Sequence, residues 1–416
     1  MIKSLEFWAK IMNVLLFTTY KHGGAGAACR RLQQALSERR ETANLITADE
    51  TSSKWPFYAE RLSFLPFERD KSIRFYFSPA NFGHDLSRHK LVQEADILHL
   101  HWINQGFLSL KNIRQLAALG KPVVWTLHDM WAFTGGCHYS GECRRYRQSC
   151  GMCPYLRAPG PGDLSHRIWK KKQKQIPGNI HFVTCSEWLA GEARSSSLLR
   201  DYPVTAIPNP IDTDVFKPVS PAERMAFRES KGIGRDSLLL LFVAMKVKET
   251  RKGFLLLLHA LQELKNLHPA VPVELLVLGQ SDPAELQALP YPFHALGLVR
   301  ETAGLVSVYG AADVFVIPSL EDNLPNTVME SLACGTPVAG FQTGGIPEMV
   351  EHLQEGFIAP QGDAGALAQG IWQIGRGEKP IEAYRKVARE KAVRQYANAV
   401  VSERYIRLYR NLLARV

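Results

Sequence analysis

Asp322 and Glu330 are the residues in this chain best spaced to do chemistry together. Seven residues separate them, and a further carboxylate, Glu321, precedes the first. The run Val314-Phe315-Val316-Ile317 before them reads as a buried parallel strand, closed by Pro318. Pro325 and Asn326 open a helix whose apolar stripe is Val328, Met329, Leu332 and Ala333, and Gly335 stops it. A second strand, 338–341, and the turn Thr343-Gly344-Gly345 follow. Carboxylates where a strand meets its helix sit where open α/β sheets bind ligands. A matching cationic group lies upstream. After the strand 238–243 come Lys246, Lys248, Arg251 and Lys252-Gly253, which opens a helix. Cations at a helix N-terminus oppose its dipole unless they face an anion, so the pattern suits a phosphate.

The first half offers three further groups. The strand 14–18 leads into His22-Gly23-Gly24-Ala25-Gly26 and a helix over 27–38, so backbone N–H groups there can meet an anion. A dinucleotide site is the rival reading, with Asp49 after a second strand, but Cys29 stands where its third glycine belongs. In Asp96-Ile97-Leu98-His99-Leu100-His101-Trp102 the period of two puts His99 and His101 on one face of a strand. The next strand, 122–127, ends in His128-Asp129, where α/β enzymes place reactive side chains. A loop over 131–157 then carries Cys137, Cys143, Cys150 and Cys153, with His138 available in place of one thiolate. Four cysteines ending in a Cys-x-x-Cys knuckle suit structural zinc; two disulfides or free thiols are the alternatives.

The stretch from Asp322 through Glu330 to Ala333-Cys334-Gly335-Thr336-Pro337-Val338 resembles the donor-sugar motif of the retaining, GT-B-fold glycosyltransferases of family 4. The family's usual first Glu is Asp322 here, with Glu321 one residue out of register, and either can meet the sugar. The resemblance implies two Rossmann-like doubly wound domains facing a cleft. It places donor contacts at Gly24, Lys246, Lys252, Gly253 and Val299. It continues them through Glu321, Asp322, Asn323, Leu324, Pro325, Asn326 and Glu330. Lys246 and Lys252 clamp the diphosphate in this reading, with Lys248 or Arg251 as alternatives to Lys246. Glu330 takes the ribose hydroxyls, and backbone N–H groups near Gly344-Gly345 help offset the phosphate charge. His22, Gly23, Gly24, His101 and His128 line the acceptor side. His128 positions the transferred sugar, and Asp129 orients it or meets the acceptor hydroxyl. The cysteine-rich loop resembles an insert found in a subgroup active in bacterial exopolysaccharide assembly. Pro208-Asn209-Pro210-Ile211-Asp212 resembles the segment leaving the first domain, and Arg404, Tyr405, Leu408 and Leu412 mark a final helix that crosses back to it.

Length fits this division. At 416 residues two domains are expected: a possible extension 1–11, a first domain 12–213, a nucleotide-sugar domain 214–390 and a returning helix 391–416. Composition is that of a globular protein, with 46% hydrophobic and 22% charged residues. The formal charge of +10 suits an anionic partner, yet no nucleic-acid signature is present. No run reaches membrane-spanning length, and the N-terminal stretch lacks the pattern of a signal peptide. A cytoplasmic protein is expected, peripheral at the inner membrane face, with the basic helix 163–175 beside Trp169 meeting anionic headgroups. The donor is a UDP or GDP sugar, no catalytic metal is implied, and the acceptor is a glycan or polyprenyl-linked oligosaccharide. A sugar-nucleotide epimerase and a non-catalytic assembly subunit are the rivals.

Overall fold

A computed structural model describes residues 11–51, 53–299 and 301–415. All but the last residue of the expected extension 1–11 lie outside that range. The chain divides into two compact units, one running to Pro210 and resuming at Ala399, the other Ile211–Asn398. The unit boundaries thus fall at 210/211 and 398/399, where the sequence reading placed 213/214 and 390/391.

Each unit is built on a six-stranded sheet in which every pairing is parallel. The first contains β1 (Asn13–Thr18), β2 (Thr42–Thr47), β3 (Ile97–Leu100), β4 (Val123–Leu127), β5 (Ile180–Thr184) and β6 (Val204–Ala206), in the order β2-β1-β3-β4-β5-β6. Its strands are apolar on both faces, as parallel strands covered on both sides must be. Leu15 and Phe17 enter one core with Leu98, Trp125 and Phe182. Val14 and Leu16 enter the opposite core. That second core is closed by α1 (Gly23–Glu38) through Cys29, Leu32 and Leu36. Two further helices of this unit are α2 (Trp55–Phe64) and α3 (Leu164–Gln175).

The second sheet contains β7 (Leu238–Lys246), β8 (Val273–Gln280), β9 (Phe293–Gly297), β10 (Val314–Ile317), β11 (Val338–Phe341) and β12 (Gly356–Ala359), in the order β12-β11-β10-β7-β8-β9. Its helices include α4 (Phe254–Leu267), α5 (Thr302–Ala311), α6 (Asn326–Ala333) and α7 (Ile381–Tyr396). The last helix, α8 (Asn398–Leu413), follows a break at Ala397. It places Val401, Tyr405, Ile406 and Tyr409 in the second core of the first unit. The Tyr409 hydroxyl meets His99 Nδ1 at 2.7 Å, and the Tyr405 hydroxyl meets Thr126 Oγ1 at 3.1 Å.

In each sheet the chain leaves its first strand to both sides. This makes a topological switch between β1 and β3 and another between β7 and β10, the places where such sheets bind ligands.

Candidate active site

At the β7–β10 switch the two groups predicted from opposite ends of the second unit come together. The Lys252 ammonium lies 2.6 Å from Asp322 Oδ2, and Arg251 Nη1 lies 3.6 Å from the same oxygen. Arg251 also donates to the Glu321 carbonyl at 2.8 Å. Two glycines permit the approach. Gly253 has φ +71°, and a Cβ there would stand 1.8 Å from the Pro318 carbonyl oxygen. Gly344 has φ +54°, and a Cβ there would stand 1.7 Å from the Asp322 carbonyl oxygen. Any other residue would push the β10 loop off the start of α4 or off the turn after β11. Asp322 is 8% exposed. Burial alone would raise its pKa, but Lys252 and then Arg251 outweigh that and hold it below the ordinary carboxylate range.

Around this pair the predicted donor residues are shared out. Asn323 and Leu324 are buried in the loop before α6, and Asn326 begins that helix after Pro325. Glu330, one turn on and 8% exposed, accepts a hydrogen bond from the Tyr309 hydroxyl of α5 at 2.9 Å. The Gly345 N–H is spent on the Asn323 carbonyl at 2.8 Å, so it stiffens the loop and does not face a phosphate as expected. Lys248 pairs with Glu285. Lys246 is exposed at the end of β7, after a register shift between Val243 and Lys246. Among the described residues, no ion pair or side-chain hydrogen bond ties Lys246 to the Asp322 group. Arg251, the alternative to Lys246, is the residue that stands beside Asp322. A depression of about 520 Å³ opens at the tips of β8 and β9, lined by Gly279, Gln280, Leu286, Phe293, Gly297 and Leu298 among others. Leu298, not the expected Val299, borders it.

The first unit assembles a different kind of group at the ends of β3 and β4. His101 Nδ1 and His128 Nε2 are 3.0 Å apart, and Cys185 Sγ lies 3.5 Å from His128 Nδ1. His99 completes a ladder, with its ring 4.3 Å from that of His101 and its Nε2 2.7 Å from Thr126 Oγ1. Burial dominates all three histidines. It lowers His128 to about 4 against a small opposing pull from Asp129, and His99 to about 3. It holds His101 well below the usual imidazole range. The ladder is therefore neutral near pH 7.

Both carboxylate oxygens of Asp129 are engaged by groups other than the His128 ring. Its Oδ2 accepts from Trp102 Nε1 at 2.9 Å and meets His138 Nδ1 at 2.6 Å, and its Oδ1 accepts from the Trp131 N–H at 2.8 Å. Burial would raise it; His138 above all overrides that and keeps it low. The β1–β3 switch brings Tyr20 against Trp102, with ring centres 5.9 Å apart, while His22, Gly23 and Gly24 lie exposed at the start of α1. A Cβ on Gly26 would stand 2.2 Å from the Tyr20 carbonyl oxygen, which fixes how closely α1 follows β1. Trp102, Cys185 and Asn209, whose Oδ1 accepts from Cys185 Sγ at 3.2 Å, carry this geometry. The sequence marked none of the three as a site residue.

The four cysteines of the loop lie within electrostatic reach of one another. Among the described residues no group of three or more His, Cys, Asp or Glu side chains is placed to hold a metal ion. Cys137 and Cys153 belong to the apolar cluster of Phe64 and Phe77, whereas Cys150 packs against the main core and accepts from the Gly135 N–H at 3.1 Å. Cys143 is half-buried and lies within electrostatic reach of the other three thiols. Burial pushes the Cys137, Cys150 and Cys153 thiols up to about 12, which keeps them protonated. His138 is occupied by Asp129 and by Ser78 Oγ at 2.9 Å. Polar anchors hold the loop instead. Asp163 accepts from the N–H of Cys153 at 2.8 Å and of Gly160 at 3.3 Å. Lys172, fully buried, donates to the Thr134 carbonyl at 3.0 Å and to that of Trp131, whose ring it covers at 3.5 Å. Desolvation lowers its ammonium to about 7. Trp169 is buried as well and donates to Ser197 Oγ at 2.9 Å, so it does not reach the surface as expected.

Two family models match this chain. Residues 22–215 match Glycosyltransferase Family 4, and residues 237–376 match Glycosyl transferases group 1. Each domain is thus similar to a glycosyltransferase family over most of its length, and the paired parallel sheets have the GT-B fold. Among curated relatives, D-inositol 3-phosphate glycosyltransferase of Corynebacterium jeikeium is 29% identical over 67% of this chain and 64% of its own. The amylovoran biosynthesis glycosyltransferase AmsK of Erwinia amylovora is 36% identical over 20% of this chain and 22% of its own. Phosphatidyl-myo-inositol mannosyltransferase of Mycobacterium leprae is 26% identical over 93% and 92%. The chain thus spans less than two thirds of the first two relatives. Of solved structures, Anabaena HepE in complex with UDP superposes with a TM-score of 0.61 at 15% identity, covering 97% of this chain and 100% of that one. A glycosyltransferase from Rickettsia africae superposes with a TM-score of 0.69 at 14% identity, covering 98% and 100%. Those likenesses bear on the fold. No helix among the described residues is long and apolar enough to cross a membrane.

Proposed function

We propose that this protein transfers a sugar from a nucleoside diphosphate sugar, of UDP or GDP, to a hydroxyl of a glycan or polyprenyl-linked oligosaccharide. Transfer proceeds with retention at the anomeric carbon and serves cell-surface polysaccharide assembly at the inner face of the cytoplasmic membrane. One observation carries the reading: Arg251 and Lys252 converge on Asp322 at the β7–β10 switch. An entering diphosphate competes with Asp322 for both cations. The carboxylate it displaces is then available, beside Glu321, to the hydroxyls of the donor sugar. Lys252 and Arg251 offset the charge that grows on the leaving diphosphate as the glycosidic bond breaks. Glu330 receives the ribose hydroxyls, and the depression at Gly279 and Gly297 takes the base. The departing phosphate accepts the acceptor's proton. His128 acts as a neutral, fixed surface for the sugar, because His101 and Cys185 face its two ring nitrogens. Asp129 anchors Trp102 and the cysteine-rich loop.

The amylovoran and phosphatidyl-inositol relatives support the choice of polysaccharide or lipid-linked acceptors. A thermal-shift panel of UDP and GDP sugars tests the donor, since a ligand of the native state raises the melting temperature. At least one donor should stabilise the protein, and Lys252→Ala should abolish the shift. A panel without effect, or a shift indifferent to Lys252, sinks the reading. NMR of the product's anomeric proton tests retention.

A further inference from the structure

Helix α2 wears its apolar stripe on the outside. Trp55, Tyr58, Leu62 and Leu65 recur at helical spacing and are 66%, 55%, 59% and 43% exposed. The inward side holds Ala59, Phe64 and the carboxylate of Glu60. Glu60 accepts from the N–H of Asn81 at 2.9 Å and of Phe82 at 3.1 Å, which pins the segment after residue 75 against the helix. That segment adds Phe75 and Phe82, 66% and 40% exposed. An aromatic-rich outward stripe of this size on a globular domain marks a surface that meets something apolar.

The charge around the stripe names the partner. Helix α3 contains no acidic residue, and its Arg167, Lys170 and Lys174 are exposed. It borders the stripe directly: Lys171 donates to Asn81 Oδ1 at 2.8 Å, and the Arg167 guanidinium lies 5.2 Å from the Phe67 ring centre. Lys54 and Lys71 are exposed beside α2. The nearby acids are turned inward or paired, Glu68 with Arg61 and Arg74, and Asp70 with Arg69. Bulky apolar side chains ringed by free cations match a bilayer bearing anionic headgroups. We propose that α2, the 75–82 segment and the basic face of α3 form a membrane-docking surface for anionic lipid. The proposal rests on the lipid-linked-acceptor reading only for its purpose, which is to bring the acceptor within reach.

Flotation of the full chain with vesicles tests it. The protein should float with phosphatidylcholine vesicles containing phosphatidylglycerol, and not with phosphatidylcholine alone. Trp55→Ser/Tyr58→Ser/Leu62→Ser should weaken binding about tenfold or more. Lys170→Gln and Lys174→Gln should each weaken it about fivefold, and added salt should do the same. Sugar transfer to a soluble acceptor should survive the triple substitution. Three outcomes overturn the proposal: no binding by the unmodified chain, binding indifferent to the triple substitution, or self-association that the substitution abolishes, which would assign the stripe to a second copy. A protein that floats but transfers no sugar would sink the functional reading and leave this surface standing.

Discussion

At the end of β10, Asp322, Lys252 and Arg251 stand charged within a few ångströms of one another. At the ends of β3 and β4, three histidines are kept neutral by burial and the one carboxylate, Asp129, is spent on Trp102, His138 and the Trp131 N–H. The strand orders differ, yet each sheet has one switch point, at β1/β3 and at β7/β10, so the switch alone does not decide this. What differs is which side chains the loops return. The second unit returns a Lys-Gly and an acidic turn that can exchange an internal ion pair for a diphosphate. The first returns a hydrogen-bonded ladder with no mobile charge to offer, suited to holding a neutral sugar or hydroxyl.

The sharpest way to break the contrast is Lys252→Ala. It should lower kcat by about 10²–10³-fold, the usual cost of removing a charge-stabilising donor. It should also lower stability by about 3–5 kcal/mol, because Asp322 keeps its burial and loses its nearest cation. Steady-state kinetics and urea unfolding measure the two effects. A loss of stability without a loss of rate would make the pair merely structural.

Acidification separates the units next. The neutral ladder contributes stability that is complete above about pH 6.5, the unfolded histidine value. That stability falls with pH toward the folded values, about 4 for His128 and about 3 for His99. Each histidine steepens the loss by up to about 1.4 kcal/mol per pH unit in that window. Asp322 is also depressed, so its contribution is complete above the ordinary aspartate value and is lost only below it. Hydrogen exchange between pH 7 and 4 should therefore show amides of β3 and β4 loosening before those of β7 and β10. The reverse order would refute the assignment.

Two smaller effects refine the comparison. Tyr409→Phe removes the partner of buried His99 Nδ1 and should cost about 1 kcal/mol in thermal unfolding. Lys246→Ala should change kcat/KM by no more than about twofold, as a surface substitution does. A large loss would return the phosphate role to Lys246.

What was legible in the sequence was local. Strand, Lys-Gly, acidic turn and helix follow one another within short stretches, so the members of the Asp322 group could be named individually. Lys246 lies apart from the Asp322 group because the irregular end of β7 shifts the register before it. The His101–His128 contact spans 27 residues and exists only because β3 and β4 are neighbours. The lysine run of α3 read as one basic face, but helical rotation turns Lys172 inward, where the Trp131 and Thr134 carbonyls receive it. The cysteine spacing was compatible with zinc, and the four thiols do lie within electrostatic reach of one another, but among the described residues no three of them are placed to hold a metal ion.

The return of α8 to the first unit bears on the order of assembly. The second unit is one uninterrupted stretch, Ile211–Asn398, and its sheet can close as soon as that stretch exists. The first unit cannot. Val14 and Leu16 of its earliest strand share a core with Val401, Tyr405 and Tyr409. On a ribosome, where domains fold as they emerge, that core stays open on one side until the whole second unit has been made. The earlier-made sheet therefore waits, with apolar surface exposed, for its last helix.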